Sequence, residues 1–296
     1  MTPGLIVLLI VYIVVLAAWN LLFKINKKPT LQSMYVISFW GIILALVAFG
    51  INFIFVDNPF RNLTWPIVGF IALRALIGIS TLFCWIKAMK YIHISIADPV
   101  FLARLFPLLA IGWLVFDDVV SVVAIVLTIV IFVTCLVLGF TQYKFEKDKS
   151  KNYLRGLFWL VVCMCFSIPN AFLTRYIAGF GIDVVVFILI ALACSFLYNN
   201  VIQFATRQNP IKTLRGAWKD KVLFAASIPD NFWMLFWIPL ALNMNIGVLD
   251  AILVAGTVLT ILGGIILLKE RVPKIAFIFM AIILGCAIAL SIITAF

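Results

Sequence analysis

The sequence predicts an all-α integral membrane protein whose ten transmembrane helices form two inverted five-helix repeats. Three observations predict it. Of 296 residues, 66% are hydrophobic and only 11% charged, more apolar surface than a water-soluble fold of this length can enclose. The apolar residues fall into ten runs, each close to the about 20 residues that cross about 30 Å of hydrocarbon. The second half of the chain also matches the first at a nearly constant shift.

Taken in order, the runs cover approximately 4–23, 34–56, 67–90, 96–116 and 119–141, then 154–176, 183–206, 222–245, 247–268 and 273–295. The first lacks a basic lead-in and a small-residue cleavage site, so it reads as a retained helix and not a signal peptide. The longest polar stretches are YKFEKDKSKNYLR (143–155) and TRQNPIKTLRGAWKDK (206–221). The first of these divides the chain into repeats 1–146 and 147–296. A shift of 152 residues places Trp85 on Trp237, Asp98 on Asp250, Gly112 on Gly264 and Asp118 on Glu270, and a shift of 150 places Asn20 on Asn170. Each half holds an odd number of spans, so two copies must insert upside down relative to one another, the arrangement of many secondary transporters.

A net charge of +11 is of the sign that nucleic acid attracts, but the basic residues lie in short loops between apolar runs. That placement reads as membrane topology and contact with anionic headgroups. Loops after the odd-numbered spans hold 18 of the 22 Lys and Arg residues; the opposite side holds only Arg61 and Arg175, and Arg74 and Arg104 lie within spans. By the positive-inside rule both termini are then outside. All six cysteines sit in apolar runs and the single His93 stands in a loop, so neither a disulfide framework nor a metal site is expected. No GxxxxGK[ST] phosphate loop occurs, which argues against direct drive by ATP. No cofactor is expected.

Polar residues within the spans are the candidates for function, because each is costly against lipid and should face the bundle interior. In the third span Arg74, Gly78, Thr81 and Trp85 recur at spacings of four, three and four and share one face; in the eighth, Asp230, Trp233 and Trp237 do the same. The repeat makes Trp85 and Trp237 counterparts. Two such tryptophans, with Trp233, could clamp a flat or cationic ligand, or serve only as packing. Arg104 lies about 12 Å into the fourth span by helical rise. Its guanidinium, like that of Arg74, suits a carboxylate or phosphate; either could instead bind helix carbonyls or neutralise Asp230. Asp230 is a candidate for proton coupling or for a fixed counter-ion. Asp98 and Asp250 stand near helix starts and read as caps of free amides. Of Asn20 and Asn170, one is expected to bond between helices and the other to line a cavity. YNN (198–200) is a further polar cluster, and Pro107, Pro169, Pro229 and Pro239 could supply bends.

The stretch from Arg74 to Asp118, RALIGISTLFCWIKAMKYIHISIADPVFLARLFPLLAIGWLVFDD, resembles the third and fourth helices of the drug/metabolite transporter superfamily, EamA branch. The second half repeats the pattern as FWIPLALNMNIGVLDAILVAGTVLTILGGIILLKERV (236–272), and WNLLFK in the first span resembles the family's W-x-x-N opening. The resemblance covers all ten spans. It implies a secondary carrier or exchanger for a small metabolite, anionic or zwitterionic on the strength of the two arginines, in a bacterial inner membrane. A flippase for a lipid-linked sugar on the same fold is an alternative, and a membrane enzyme of lipid or cell-wall metabolism another. Two features depart from the family. VFDDVV replaces the Glu-Arg turn in the first copy, and family members usually place both termini in the cytoplasm, against the charge bias seen here.

Overall fold

In a computed structural model, which describes residues 3–26, 28–145 and 151–295, the chain is all-helical, with no strand among the described residues. Ten helices are long and apolar enough to cross a membrane: Gly4–Ile25, Thr30–Phe55, Trp65–Met89, Ile94–Val115, Val122–Thr141, Leu154–Ala178, Val184–Ala205, Lys221–Asn243, Ile246–Leu268 and Ile275–Ile293. The protein is an integral membrane protein, and each span lies within a few residues of its sequence expectation. The boundary expected between residues 146 and 147 lies outside the described residues.

By helix, the chain runs α1 (Pro3–Ile25), α2 (Thr30–Phe55), α3 (Trp65–Met89), α4 (Ile94–Phe101), a 3₁₀ turn (Leu102–Arg104), α5 (Leu105–Val115), α6 (Val122–Phe145) and α7 (Lys151–Ala178). It continues through α8 (Val184–Ala205), α9 (Pro210–Ala217), α10 (Lys221–Asn243), α11 (Ile246–Leu253), α12 (Ala255–Leu268) and α13 (Ile275–Ala295). The fourth span is thus two helices joined by a turn. Pro107 has no amide hydrogen to give the carbonyl four residues back, and its ring crowds that carbonyl, so regular α-helix loosens just before it. The ninth span breaks at Val254 without a proline.

Helix starts follow side-chain chemistry. Asp183, Asp220 and Asn245 each accept two backbone amides at the starts of α8, α10 and α11. Asn245, not Asp250, therefore caps the ninth span, and His93 occupies the equivalent position before α4. Asp98 and Asp250 lie inside their helices, free of capping duty. Near the other ends of the two broken spans, Asp117 and Lys269 adopt left-handed backbone (φ 52° and 55°). In both turns a bond runs back to a glycine: Asp118 N–H to Gly112 O and Glu270 N–H to Gly264 O, each at 3.1 Å.

Across the bundle α3 packs on α7, α1 on α10, α2 on α8, α5 on α11 and α6 on α13. Close approach is made possible by small residues: a Cβ on Gly247 would collide with the backbone of Leu109, so α5 and α11 meet nearly backbone to backbone. Large apolar side chains such as Phe55, Trp65, Val119 and Ile266 point outward, as a lipid-facing surface requires. Polar side chains tie the interior together. The YNN cluster bonds helices: Tyr198 donates to Ala72 O, Asn199 to Ser38 Oγ, and Asn200 accepts from Tyr35.

Glu270, just beyond α12, reaches the start of α4. Its carboxylate accepts the Ile94 and Ser95 amides at 3.2 Å each and lies 3.5 Å from His93 Nδ1. Burial opposes ionisation of this carboxyl, but the His93 bond and charge, Ser95 and the Ile94 amide outweigh it and hold Glu270 below its usual range. A group held below its usual range stabilises the fold above the ordinary glutamate value and loses that contribution as pH falls through the depressed one. Glu270→Gln is expected to cost about 1–2 kcal/mol at neutral pH. Melting of both proteins in detergent across pH checks this: the gap between wild type and variant should close as pH falls below about 4.

Candidate functional site

A central cavity of about 190 Å³ is lined by α1, α2, α3, the end of α4, the 3₁₀ turn, α7, α8, α10 and α11. Both halves of the chain contribute. The cavity gathers Arg74, Gly78, Thr81 and Trp85 from α3, and Asp230, Trp233 and Trp237 from α10, so the helical spacing of each set places it on one inward face. Arg104 and Asn170 join them. Asn20 does not line the cavity. It bonds Asp98 and Thr260 on neighbouring helices, so of the two asparagines Asn20 serves helix–helix bonding and Asn170 the cavity wall.

One end of the cavity is built around the turn in the fourth span. Arg104 Nη2 lies 2.8 Å from Asp250 Oδ2, an ion pair between two broken spans. Trp237 lines the cavity beside them. The Arg104 guanidinium stacks over Phe101, with Cζ 4.2 Å from the ring centre. Trp85 packs on the same ring at 5.0 Å and lies parallel to Trp19, with centroids 6.0 Å apart and planes 8° apart. Burying an isolated charge at this depth is costly, and a counter-charge with an aromatic face offsets that cost.

The other end holds Arg74, 6% exposed. Its Nε donates to Thr174 Oγ1 at 3.1 Å, and its guanidinium stands over Trp233 (5.4 Å) and Phe187 (5.9 Å). Asp230 accepts the Trp19 indole hydrogen at 3.0 Å. Gly78 stands beside Asn170 and Arg74: a Cβ there would lie in ordinary contact, 3.5 Å from Asn170 Oδ1 and 3.8 Å from Arg74 Nη1.

Several buried groups facing this space retain unused hydrogen-bonding capacity. Trp85 Nε1 and Arg104 Nε are donors without an acceptor among the described residues, and Asn170 Oδ1 is an acceptor without a donor. Trp85 is only 2% exposed. Buried polar groups are bonded in the great majority of cases, so these three are the groups with which the cavity can hold a small polar molecule. The site thus offers two guanidiniums, two carboxylates, several aromatic faces and unpaired donors and an acceptor.

Sequence reasoning missed three members of the site. Trp19, which fixes Asp230 and stacks on Trp85, opens the WNLLFK stretch, where the sequence marks it as a motif residue and not as a member of a site. Asp250 was expected as a cap and is instead the partner of Arg104. Phe101, the ring shared by Trp85 and Arg104, carries no signal distinguishing it from the many other phenylalanines.

No protein-family profile matches the chain, and no curated protein matches it. A solved structure described only as "Crystal structure of protein" is similar over 99% of this chain and 99% of its own, at 15% sequence identity and a TM-score of 0.63. Likeness at that identity is one of fold.

The Arg104–Asp250 pair makes a stability prediction. Arg104→Ala, which leaves Asp250 buried without its counter-charge, is expected to cost about 3–5 kcal/mol. Arg104→Met with Asp250→Leu, which removes both charges at similar volume, should recover most of that loss in thermal unfolding of the detergent-solubilised proteins. Equal destabilisation by the single and double variants would show that the pair is not what holds this end of the cavity.

Proposed function

We propose that the chain is a secondary transporter or exchanger of the drug/metabolite superfamily, EamA type, which moves a small zwitterionic or anionic metabolite by alternating access. One observation carries the reading: a cavity within the bundle, walled by both halves, combines buried guanidiniums and carboxylates with polar atoms that have no partner among the described residues. A purely structural bundle gains nothing from such groups, and charged residues inside spans commonly mark a substrate path.

The reading takes the two halves as inverted repeats, each a five-span unit. Two features support this. The helix pairing is unchanged when the halves are exchanged: α3 on α7 becomes α10 on α1, and the second, fourth and fifth spans each meet their own counterparts. The left-handed turns at Asp117 and Lys269, with their bonds back to Gly112 and Gly264, also recur at the shift of 152 seen in the sequence. Rocking of one unit against the other about a fixed central site is the usual motion of such folds.

In the bound state, an acidic group of the substrate meets Arg74 or the unpartnered Trp85 and Arg104 N–H groups. An ammonium, where there is one, meets Asp230 and Asn170 Oδ1. Two guanidiniums balanced by two carboxylates favour a substrate of small net charge. The charge bias of the loops supports a reading with both termini outside, the reverse of the usual family orientation, and the family resemblance supports a bacterial inner membrane.

Thermal stability of the purified protein against a panel of amino acids, carboxylates and phosphate esters tests the proposal. A ligand at 100 times its dissociation constant should add about 2.7 kcal/mol to the native state. The effect should be lost in Arg74→Gln and weakened by Trp85→Phe, which keeps a ring and removes the N–H donor. Stabilisation by organic cations alone would reverse the assigned charge preference. A response confined to lipid-linked sugars would favour a flippase.

A further inference from the structure

Asp98 on α4 lies behind the cavity wall, 6% exposed, and its setting differs from that of Asp250, the residue at the same place in the second half. Asp250 meets a guanidinium at 2.8 Å. Asp98 meets neutral groups. Asn20 Nδ2, on α1, donates to Asp98 Oδ1 at 3.2 Å and lies 3.4 Å from Thr260 Oγ1. Thr257 and Thr260 on α12 are the other neutral groups that act on the carboxyl. The Thr260 hydroxyl directs its hydrogen to Gly256 O at 2.9 Å, and no hydroxyl donates to Asp98 Oδ2 within hydrogen-bond geometry among the described residues. The titratable or charged groups acting on Asp98 are Arg104, already committed to Asp250, and Cys135 on α6. Among the described residues α3 and α7 present none that acts on it.

One edge of the Asn20–Asp98 pair is therefore bonded. Beyond that bond, Asp98 Oδ2 and Asn20 Oδ1 are both buried acceptors without a donor among the described residues. Two unsatisfied acceptors in one dry cluster, one of them a carboxylate oxygen with no cation against it, is an arrangement that a single hydrogen repairs. The geometry points to Asp98 as a proton-binding site, in which a proton on Oδ2 is donated to Asn20 Oδ1 and closes a two-bond acid–amide pair between α4 and α1.

Both members of the pair adjoin the cavity through their neighbours. Trp19 precedes Asn20 and holds Asp230; Phe101, one helical turn beyond Asp98, carries Trp85 and Arg104. When the proton leaves to water, the carboxylate faces the amide oxygen and repels it, so α1 separates from α4 and α12. That change reaches the substrate groups directly, which makes Asp98 the coupling-proton site of the carrier. This coupling role rests on the transport reading; the proton site itself does not.

Infrared difference titration of the full-length protein in liposomes, in H₂O and D₂O, tests the site. The expected result is a protonated-carboxyl carbonyl band that shifts in D₂O, disappears in Asp98→Asn and persists in Asp230→Asn. If Asp98→Asn does not fold, Asn20→Ala gives the reading instead: the band should remain but move towards the frequency of an unbonded acid. A band removed by Asp230→Asn and untouched by changes at Asp98 and Asn20 would overturn the assignment. So would the absence of any band together with sodium-dependent thermal stabilisation that Asp98→Asn abolishes, which would make the occupant a metal cation. A band assigned to Asp98 in a protein that carries no metabolite would support the proton site and overturn only the coupling role.

Discussion

Arg104 and Asp250 meet at 2.8 Å where two broken spans cross, and much of the cavity's architecture follows from how that pair is accommodated. A guanidinium at membrane depth needs a counter-charge, an aromatic face or water. Here Asp250 supplies the first and Phe101 the second. The turn in the fourth span brings Arg104 to the interior, and the start of the ninth span, capped by Asn245, brings Asp250 to it. Trp237 and Trp85 close around the result. The pair joins the two halves of the chain at the level of the cavity, so any movement of one half on the other acts on it.

A second level of compensation surrounds Arg74. Its partners are a hydroxyl and two aromatic rings, with the carboxylate of Asp230 held by the Trp19 indole. This is a looser arrangement than that at Arg104, with a hydroxyl where Arg104 has a carboxylate. Arg104 ties the two halves together through Asp250, while Arg74 is bound by neutral groups. Depth in a span is visible in a sequence, and a partner on another span is not.

The ten spans were legible because hydrocarbon thickness imposes a length and a composition that no other constraint disturbs. The inward faces of α3 and α10 were legible from the 3.6-residue period alone, and all seven residues named on them line the cavity. Pairing between remote residues was not. Arg104 with Asp250, and Asn20 with Asp98, are contacts between separate helices, and nothing in the local sequence marks them. The misreading of Asp98 and Asp250 as caps has a simple cause. Span starts inferred at 96 and 247 put these residues near the first turn, whereas the helices begin at Ile94 and Ile246, where His93 and Asn245 already hold the cap positions. A displacement of one or two residues was enough to turn buried partners into apparent caps.

Access to the cavity from the two faces of the membrane is the most direct measure of the account. Ser195 lines the cavity and is partly exposed. Ser195→Cys, in a background without the six native cysteines, would be reacted in sealed liposomes of uniform orientation with a membrane-impermeant thiol reagent applied from one side or the other. Alternating access predicts modification from both sides, at rates that change in opposite directions when a stabilising ligand is supplied on one side. Modification from one side only, under every ligand and pH condition, would contradict it and leave a binding protein with a single mouth.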